Sequence, residues 1–332
     1  MKPALVLIAI LATPLLAQTH AADHGMDSSV PLRPTARITI PSETNRPVYK
    51  PARCDAQGNI YFRGYQADDR RVPVIRADAK GQTVKYMLDA DATLASGTSY
   101  DFSVLPNGHL YQPVQVGEDV YIVTFDQEGK VKGKVRLEQR FWVARLTALS
   151  DKSFLVIGSE PRPPAERKPA QPPKALTALF DEHGRLVRRI TLSNDAREET
   201  PILVTLSSDA QVDANGNLYL LLRTNPATVD VFDSVGQIER SFKVQPPGPK
   251  MNAVSMNLAK GRLAILFRET FRGMQHDDMA IITVVNASTG AEVTRYSAGP
   301  DLGATLACYT EDDFVFVGTD RNNLAIQHAV SK

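Results

Sequence analysis

The stretch Asp213-Ala214-Asn215-Gly216-Asn217-Leu218-Tyr219-Leu220, with Val231-Phe232-Asp233-Ser234-Val235-Gly236-Gln237 shortly after it, decides the fold. Each phrase sets a carboxylate and a glycine beside a run of strand formers. A carboxylate at such a place accepts hydrogen bonds from its own turn, and glycine reaches positive φ without strain. Both phrases therefore read as hairpin turns between antiparallel strands. The first turn recurs at Gly58, Gly108, Lys152, Gly216, Gly261 and Asp312. The second recurs at Gly81, Gly129, Gly184, Gly236 and Gly290. Between them lie β-branched and aromatic runs such as Tyr121-Ile122-Val123-Thr124-Phe125 and Ile281-Ile282-Thr283-Val284-Val285.

Each unit is then a four-stranded meander of about 45–55 residues, a period that belongs to repeat architectures. The expected fold is all-β, a six-bladed β-propeller of four-stranded antiparallel blades. A long sandwich is the structural alternative, but it demands no regular two-turn repeat. The sixth unit supplies Phe314-Val315-Phe316-Val317 and residues 324–330 but no fourth strand. At the other end Ala36-Arg37-Ile38-Thr39-Ile40 is left over, and it resembles Arg188-Arg189-Ile190-Thr191-Leu192, a fourth strand of unit three. The N-terminal strand is expected to complete the last blade and so remove two open sheet edges. Two units are stretched between strands two and three. Residues 161–173 of unit three hold six prolines in thirteen positions and read as an extended loop. Residues 268–278 of unit five read as a second inserted loop. Both emerge on the face opposite the turns, which marks that face as the variable one.

Bulk properties add limits. The 332 residues are 43% apolar and 23% charged, and 38 Lys+Arg against 37 Asp+Glu leave a net charge of +1. No global field favours nucleic acid or an anionic membrane. Met1-Lys2-Pro3, the apolar residues 4–17 and Thr19-His20-Ala21 have the form of a secretory signal peptide. Its apolar run is short and broken by Pro14, so it suits cleavage better than spanning. Residues 1–21 are expected to be the signal peptide, 22–35 a flexible lead-in and 36–332 the propeller. The mature chain is expected to be exported, to the periplasm or the medium, with no membrane span.

The turn phrases Asp55-Ala56-Gln57-Gly58-Asn59-Ile60-Tyr61, Asp213-Ala214-Asn215-Gly216-Asn217-Leu218-Tyr219, Phe125-Asp126-Gln127-Glu128-Gly129 and Phe232-Asp233-Ser234-Val235-Gly236 resemble those of NHL-repeat-like six-bladed propellers. The resemblance covers about residues 36–330. It departs in units three, five and six, and the Asn-x-Arg-(Ile/Val) segment of that family is missing. The superfamily is related in fold to TolB-like and gluconolactonase-type propellers. A gluconolactonase-type propeller holds calcium with Glu, Asn and Asp side chains gathered at its channel. That relation implies Glu43, Asn45, Asp101, Glu199 and Asp301 as metal candidates, with solvated loop charges as the bland reading.

The repeated Asp55, Asp126, Asp181, Asp213 and Asp233 read as turn acceptors rather than metal ligands. Arg223 and Arg268 fall at equivalent positions, at the end of strand two in units four and five, and Arg272 follows in the unit-five loop. Guanidinium groups there suit carboxylate or phosphate, so Arg223, Arg268 and Arg272 form a candidate anion patch. Pairing with acidic neighbours in the same loops is the competing reading. Cys54 and Cys308 share one repeat position, six residues before Ile60 and Phe314. Small buried thiols fit that position. A disulfide between units one and six is the alternative, and it needs Cα atoms within about 7 Å. Trp142, the single Trp, is expected in the core, with a ligand-stacking wall as the other reading. No nucleophile elbow, zinc-protease helix or phosphate loop is present in the sequence. The expected function is a non-catalytic binding or scaffolding module for a protein or peptide partner, without cofactor. The alternative is a metal-dependent lactonase or hydrolase with calcium at the channel.

Overall fold

The computed structural model describes residues 29–41, 48–65, 73–89, 91–140, 142–149, 153–159, 175–192, 209–271, 274–303, 305–321 and 323–331. Every regular element among them is a strand. Blade 1 is β3 (Val48–Cys54), β4 (Ile60–Tyr65), β5 (Val74–Ala77) and β6 (Thr83–Tyr86). Blade 2 is β7 (Ser103–Val104), β8 (Leu110–Val116), β9 (Asp119–Phe125) and β10 (Val131–Arg136). Blade 3 is β11 (Trp142–Ala148), β12 (Phe154–Ser159), β13 (Ala175–Phe180) and β14 (Leu186–Ile190). Blade 4 is β15 (Asp209–Val212), β16 (Leu218–Leu222), β17 (Ala227–Phe232) and β18 (Ile238–Val244). Blade 5 is β19 (Met251–Ala259), β20 (Arg262–Phe271), β21 (Met274–Asn286) and β22 (Glu292–Ala298). Blade 6 joins β23 (Thr305–Tyr309), β24 (Phe314–Asp320) and β25 (Asn323–Val330) to β2 (Arg33–Pro41), which pairs antiparallel with β25. The inner strands β3, β7, β11, β15, β19 and β23 touch in that order round a closed ring. The protein is a six-bladed β-propeller, and its last blade is completed from the N-terminal side.

The turns form as their residues require. Asp213 Oδ1 accepts the N–H groups of Asn215 (2.8 Å) and Asn217 (2.9 Å). Asp55 accepts those of Gln57 (3.0 Å) and Asn59 (2.9 Å), and its second oxygen takes the Tyr61 hydroxyl at 3.0 Å. Asp126, Asp181 and Asp233 repeat the pattern, so these carboxylates serve their own turns. The glycines that follow have φ between 76° and 84°, and at Gly184 a Cβ would lie 2.2 Å from the Arg136 carbonyl oxygen. The second turn is thus pressed against the preceding blade.

Packing closes the ring. Six apolar clusters are present, one between each pair of neighbouring blades. The seam between blades 6 and 1 holds Ile40, Ile60, Phe62, Val317 and Ile326, just as blades 4 and 5 share Leu221, Val231, Met256 and Ile265. Middle strands bury both faces and therefore read as continuous apolar runs.

Two expected boundaries move. Residues 30–31 and 33–35 belong to strands rather than to a flexible lead-in. Val30–Pro31 forms β1, parallel to β22, and Leu32 donates its N–H to Ser297 O (2.9 Å) while burying its side chain between blades 5 and 6. The prolines are accommodated because both segments lie at sheet edges. Residues 268–271 and 274–278 are not free loop but the outer parts of β20 and β21, with Arg268 opposite Ala280 and Thr270 opposite Gln275. No proline interrupts residues 262–286, so the ladder runs on. The proline-rich residues 161–173 lie outside the described residues.

Candidate functional site

The channel is lined by the inner strands, and a charged network crosses it. Arg53 on β3 of blade 1 donates Nε to Phe102 O at 2.9 Å. Its Nη2 reaches Asp101 of blade 2 at 3.5 Å, and its Nη1 reaches Asp209 of blade 4 at 3.4 Å. Asp101 and Asp209 each lie three residues before the repeat position held by Cys54 and Cys308, and both do the same work. Asp101 Oδ2 accepts the Leu146 N–H of blade 3 (2.8 Å), and Asp209 Oδ2 accepts the Met256 N–H of blade 5 (2.9 Å). Asp101 is fully buried. Burial works against the Arg53 charge, but Asp101 and then Asp209 more than offset it and raise its pKa. One guanidinium thereby links blades 1, 2 and 4, and its two carboxylates extend the link to blades 3 and 5.

Further links continue round the ring. Asn257 Nδ2 donates to Leu306 O (3.1 Å), joining blades 5 and 6. Cys54 and Cys308 are bonded, with Cα atoms 5.5 Å apart, and tie blade 6 to blade 1. The thiols are therefore not separate buried groups. At this one seam the equivalent inner-strand positions face each other closely enough to bridge.

The two described arginines of the candidate anion patch do equivalent work in neighbouring blades. Arg223 Nη2 donates to Val254 O of blade 5, and Arg268 Nη2 donates to Gly303 O of blade 6 at 3.2 Å. Arg268 is only 3% exposed and forms one wall of a polar cavity of about 370 Å³ between blades 5 and 6. Asp301, Thr319, Gln327 and the Arg37–Asp320 ion pair line the rest. Arg223 sits just beyond β16, within electrostatic reach of Asp209 and Arg145. Burial pushes its pKa below the ordinary arginine value; Asp209 opposes that and Arg145 adds to it. Arg223 is thus bonded to blade 5 and Arg268 to blade 6, and Arg272 lies outside the described residues.

The metal candidates are dispersed. Asp101 is buried in the channel network, whereas Asp301 is exposed at the cavity rim with its backbone oxygen accepting Gln327 Nε2 (2.6 Å). Glu43, Asn45 and Glu199 lie outside the described residues. Among the described residues no group of three or more His, Cys, Asp or Glu side chains is placed to hold a metal ion. Trp142 is 41% exposed rather than in the core, because it starts β11 on the hairpin-bearing face; Tyr100 packs on it at 5.9 Å between ring centroids. Sequence reading missed Arg53, Arg145 and Asp209. Their shared signal was a charge on an inner strand, and Arg145 and Asp209 hold the same repeat position as Asp101.

No protein-family model matches the chain, and no curated protein sequence matches it. Solved structures share the general shape. A catalytically inactive virginiamycin B lyase from Staphylococcus aureus with quinupristin is 13% identical, with a TM-score of 0.45 over 87% of this chain and 82% of that one. A PQQ-bound aldose sugar dehydrogenase from Streptomyces coelicolor is 10% identical, with a TM-score of 0.47 over 90% and 99%. A Bacteroides caccae protein of unknown function is 14% identical, with a TM-score of 0.48 over 80% and 94%. The fold assignment rests on the strand order and the closed ring described above.

Proposed function

We propose that this is an exported, non-catalytic propeller of the NHL-repeat-like superfamily that binds a protein or peptide partner on its hairpin-bearing face. The observation that carries this reading is the commitment of Asp101. The hydrolase alternative needs free channel carboxylates, and both oxygens of this one are engaged by Leu146 and Arg53. On the same molecule the β20–β21 hairpin extends beyond its flanking strands, and Trp142 stands exposed, as aromatic anchors of interfaces do. Export is supported by the signal-like residues 1–21 and by the Cys54–Cys308 bond, which suits an oxidising compartment.

The test is a cross-linking capture from envelope extract, comparing the wild type with a chain in which residues 270–275 are replaced by a two-residue turn. The expected result is one or more partners lost on shortening while the fold is kept. Equal capture by both forms would count against the hairpin-bearing face. Hydrolysis of a lactone panel that depends on added calcium would overturn the non-catalytic reading.

A further inference from the structure

Blade 6 runs short of side-chain volume towards the hairpin-bearing face. On the side turned to blade 5, β24 carries Phe314 and Phe316 and then Gly318. Gly318 takes the repeat position at which blades 2, 4 and 5 bury Val114, Leu222 and Phe267. Blade 3 also has a glycine there, Gly158, but sets Leu176 opposite it. Opposite Gly318 stands Ala325. The apolar seam between blades 5 and 6 therefore ends early, and the space it leaves is the polar cavity of about 370 Å³. That volume falls in the range of small-molecule sites, roughly 300–1,000 Å³.

The β22–β23 connection that borders the cavity is held in place. Gly303 lies so close to β24 that a Cβ would meet Val317 C at 2.5 Å and Gly318 N at 2.6 Å. Arg268 of blade 5 donates to Gly303 O (3.2 Å), and Gln327 of blade 6 donates to Asp301 O (2.6 Å). The cavity is thus framed by packed strands and a connection pinned from both blades.

Its charges are balanced. Arg37 and Arg268 line it together with Asp301 and Asp320, and Arg37 pairs with Asp320. The side chains of Asp301 and Thr319 have no partner among the described residues, and both residues are exposed. An anion would lose at the two carboxylates what it gains at the two guanidinium groups, and a cation the reverse. A hydroxyl carries one donor and two acceptor lone pairs, so it serves either kind of wall without a net charge of its own.

We propose that the cavity between blades 5 and 6 binds a small neutral saccharide, with Asp301 accepting from its hydroxyls and Thr319 and Arg37 donating to them. The assignment goes beyond the partner-binding reading and does not depend on it.

The experiment titrates the purified protein with glucose, galactose, maltose and cellobiose, followed by saturation-transfer NMR and by calorimetry. Glutamate is the charged control. The expected result is saturable binding of at least one sugar, with Kd on the order of 1 mM or tighter, and none of glutamate. D301N should weaken binding about tenfold, because the amide loses the charge-assisted bond to a hydroxyl. A325L should abolish it by filling the space beside Gly318, with Tm measured to show that the fold is kept. No saturable binding of any of the sugars overturns the proposal, and so does glutamate binding in their place. Sugar binding as tight in D301N as in the wild type overturns it as well, and that comparison stands even where A325L folds poorly.

Discussion

The two faces of the ring are built on different principles. On the turn face each carboxylate acts within its own hairpin: Asp55, Asp126, Asp181, Asp213 and Asp233 each accept two backbone N–H groups within four residues. Towards the other face the polar bonds run between blades, from Arg53 to Asp209 across 156 residues and from Arg223 to Val254 across 31. Local bonds repeat because their requirements repeat. Bonds between blades repeat only in part, as at Asp101 and Asp209 or Arg223 and Arg268, because each serves a particular pair of neighbours. A chain of this kind can keep one face regular for folding and leave the other free to diverge.

The largest expected effect tests whether the bonds between blades are structural. Asp209→Ala removes acceptors for Arg53 and Met256 and leaves a guanidinium with only 11% of its side chain exposed beside one carboxylate. It should cost about 3–5 kcal/mol, read by urea unfolding of the purified protein. A loss as small as that of a surface substitution would mean that water already satisfies the network. Next comes the seam. Replacing both cysteines by Ala opens a covalent loop with a sequence separation of 254. It should cost about 2–4 kcal/mol, and adding reductant to the wild type should reproduce the loss.

Two glycines then divide the turn face itself. At Gly58 a Cβ meets nothing within 4 Å, so Gly58→Ala should cost only the positive-φ penalty, about 1 kcal/mol. At Gly184 the same change also meets the Arg136 carbonyl and should cost about 2 kcal/mol or more. Equal Tm shifts for the two variants would show that the second turns are not wedged against their neighbours.

The smallest effect is acid-dependent. The Arg185 N–H, aided by that of His183, holds the Asp181 pKa below the usual value of 3.8. A depressed carboxylate contributes stability above its unfolded pKa and loses it as pH falls through the folded one. Stability compared between pH 5 and pH 2 should therefore fall slightly less in Asp181→Asn than in the wild type. A larger fall in the variant would reverse the sign and refute the turn bond as its cause.

Much of the architecture was legible because turn chemistry is local. Asp213 and Gly216 need only each other and the intervening backbone, so their spacing announces a hairpin wherever the chain goes. Leu32 and Trp142 went the other way. Leu32 follows a polar, proline-marked stretch, and only the groove between blades 5 and 6 gives it a place to bury. Trp142 looks like a core residue by type, yet it opens its strand where few neighbours reach it. The candidate site was legible only in pieces. Arg223 and Arg268 stood out by repeat position, but the position does not tell that Arg268 borders a cavity.

By itself the sequence determined the blade count, the turn positions and the closure of the last blade by an N-terminal strand, because each follows from spacing along the chain. Only the tertiary structure decided that Cys54 meets Cys308, that Arg53 joins Asp101 to Asp209, and that Arg223 reaches the Val254 carbonyl of the next blade. Those are distances across a ring, set by blade packing, and no run of neighbouring residues encodes them.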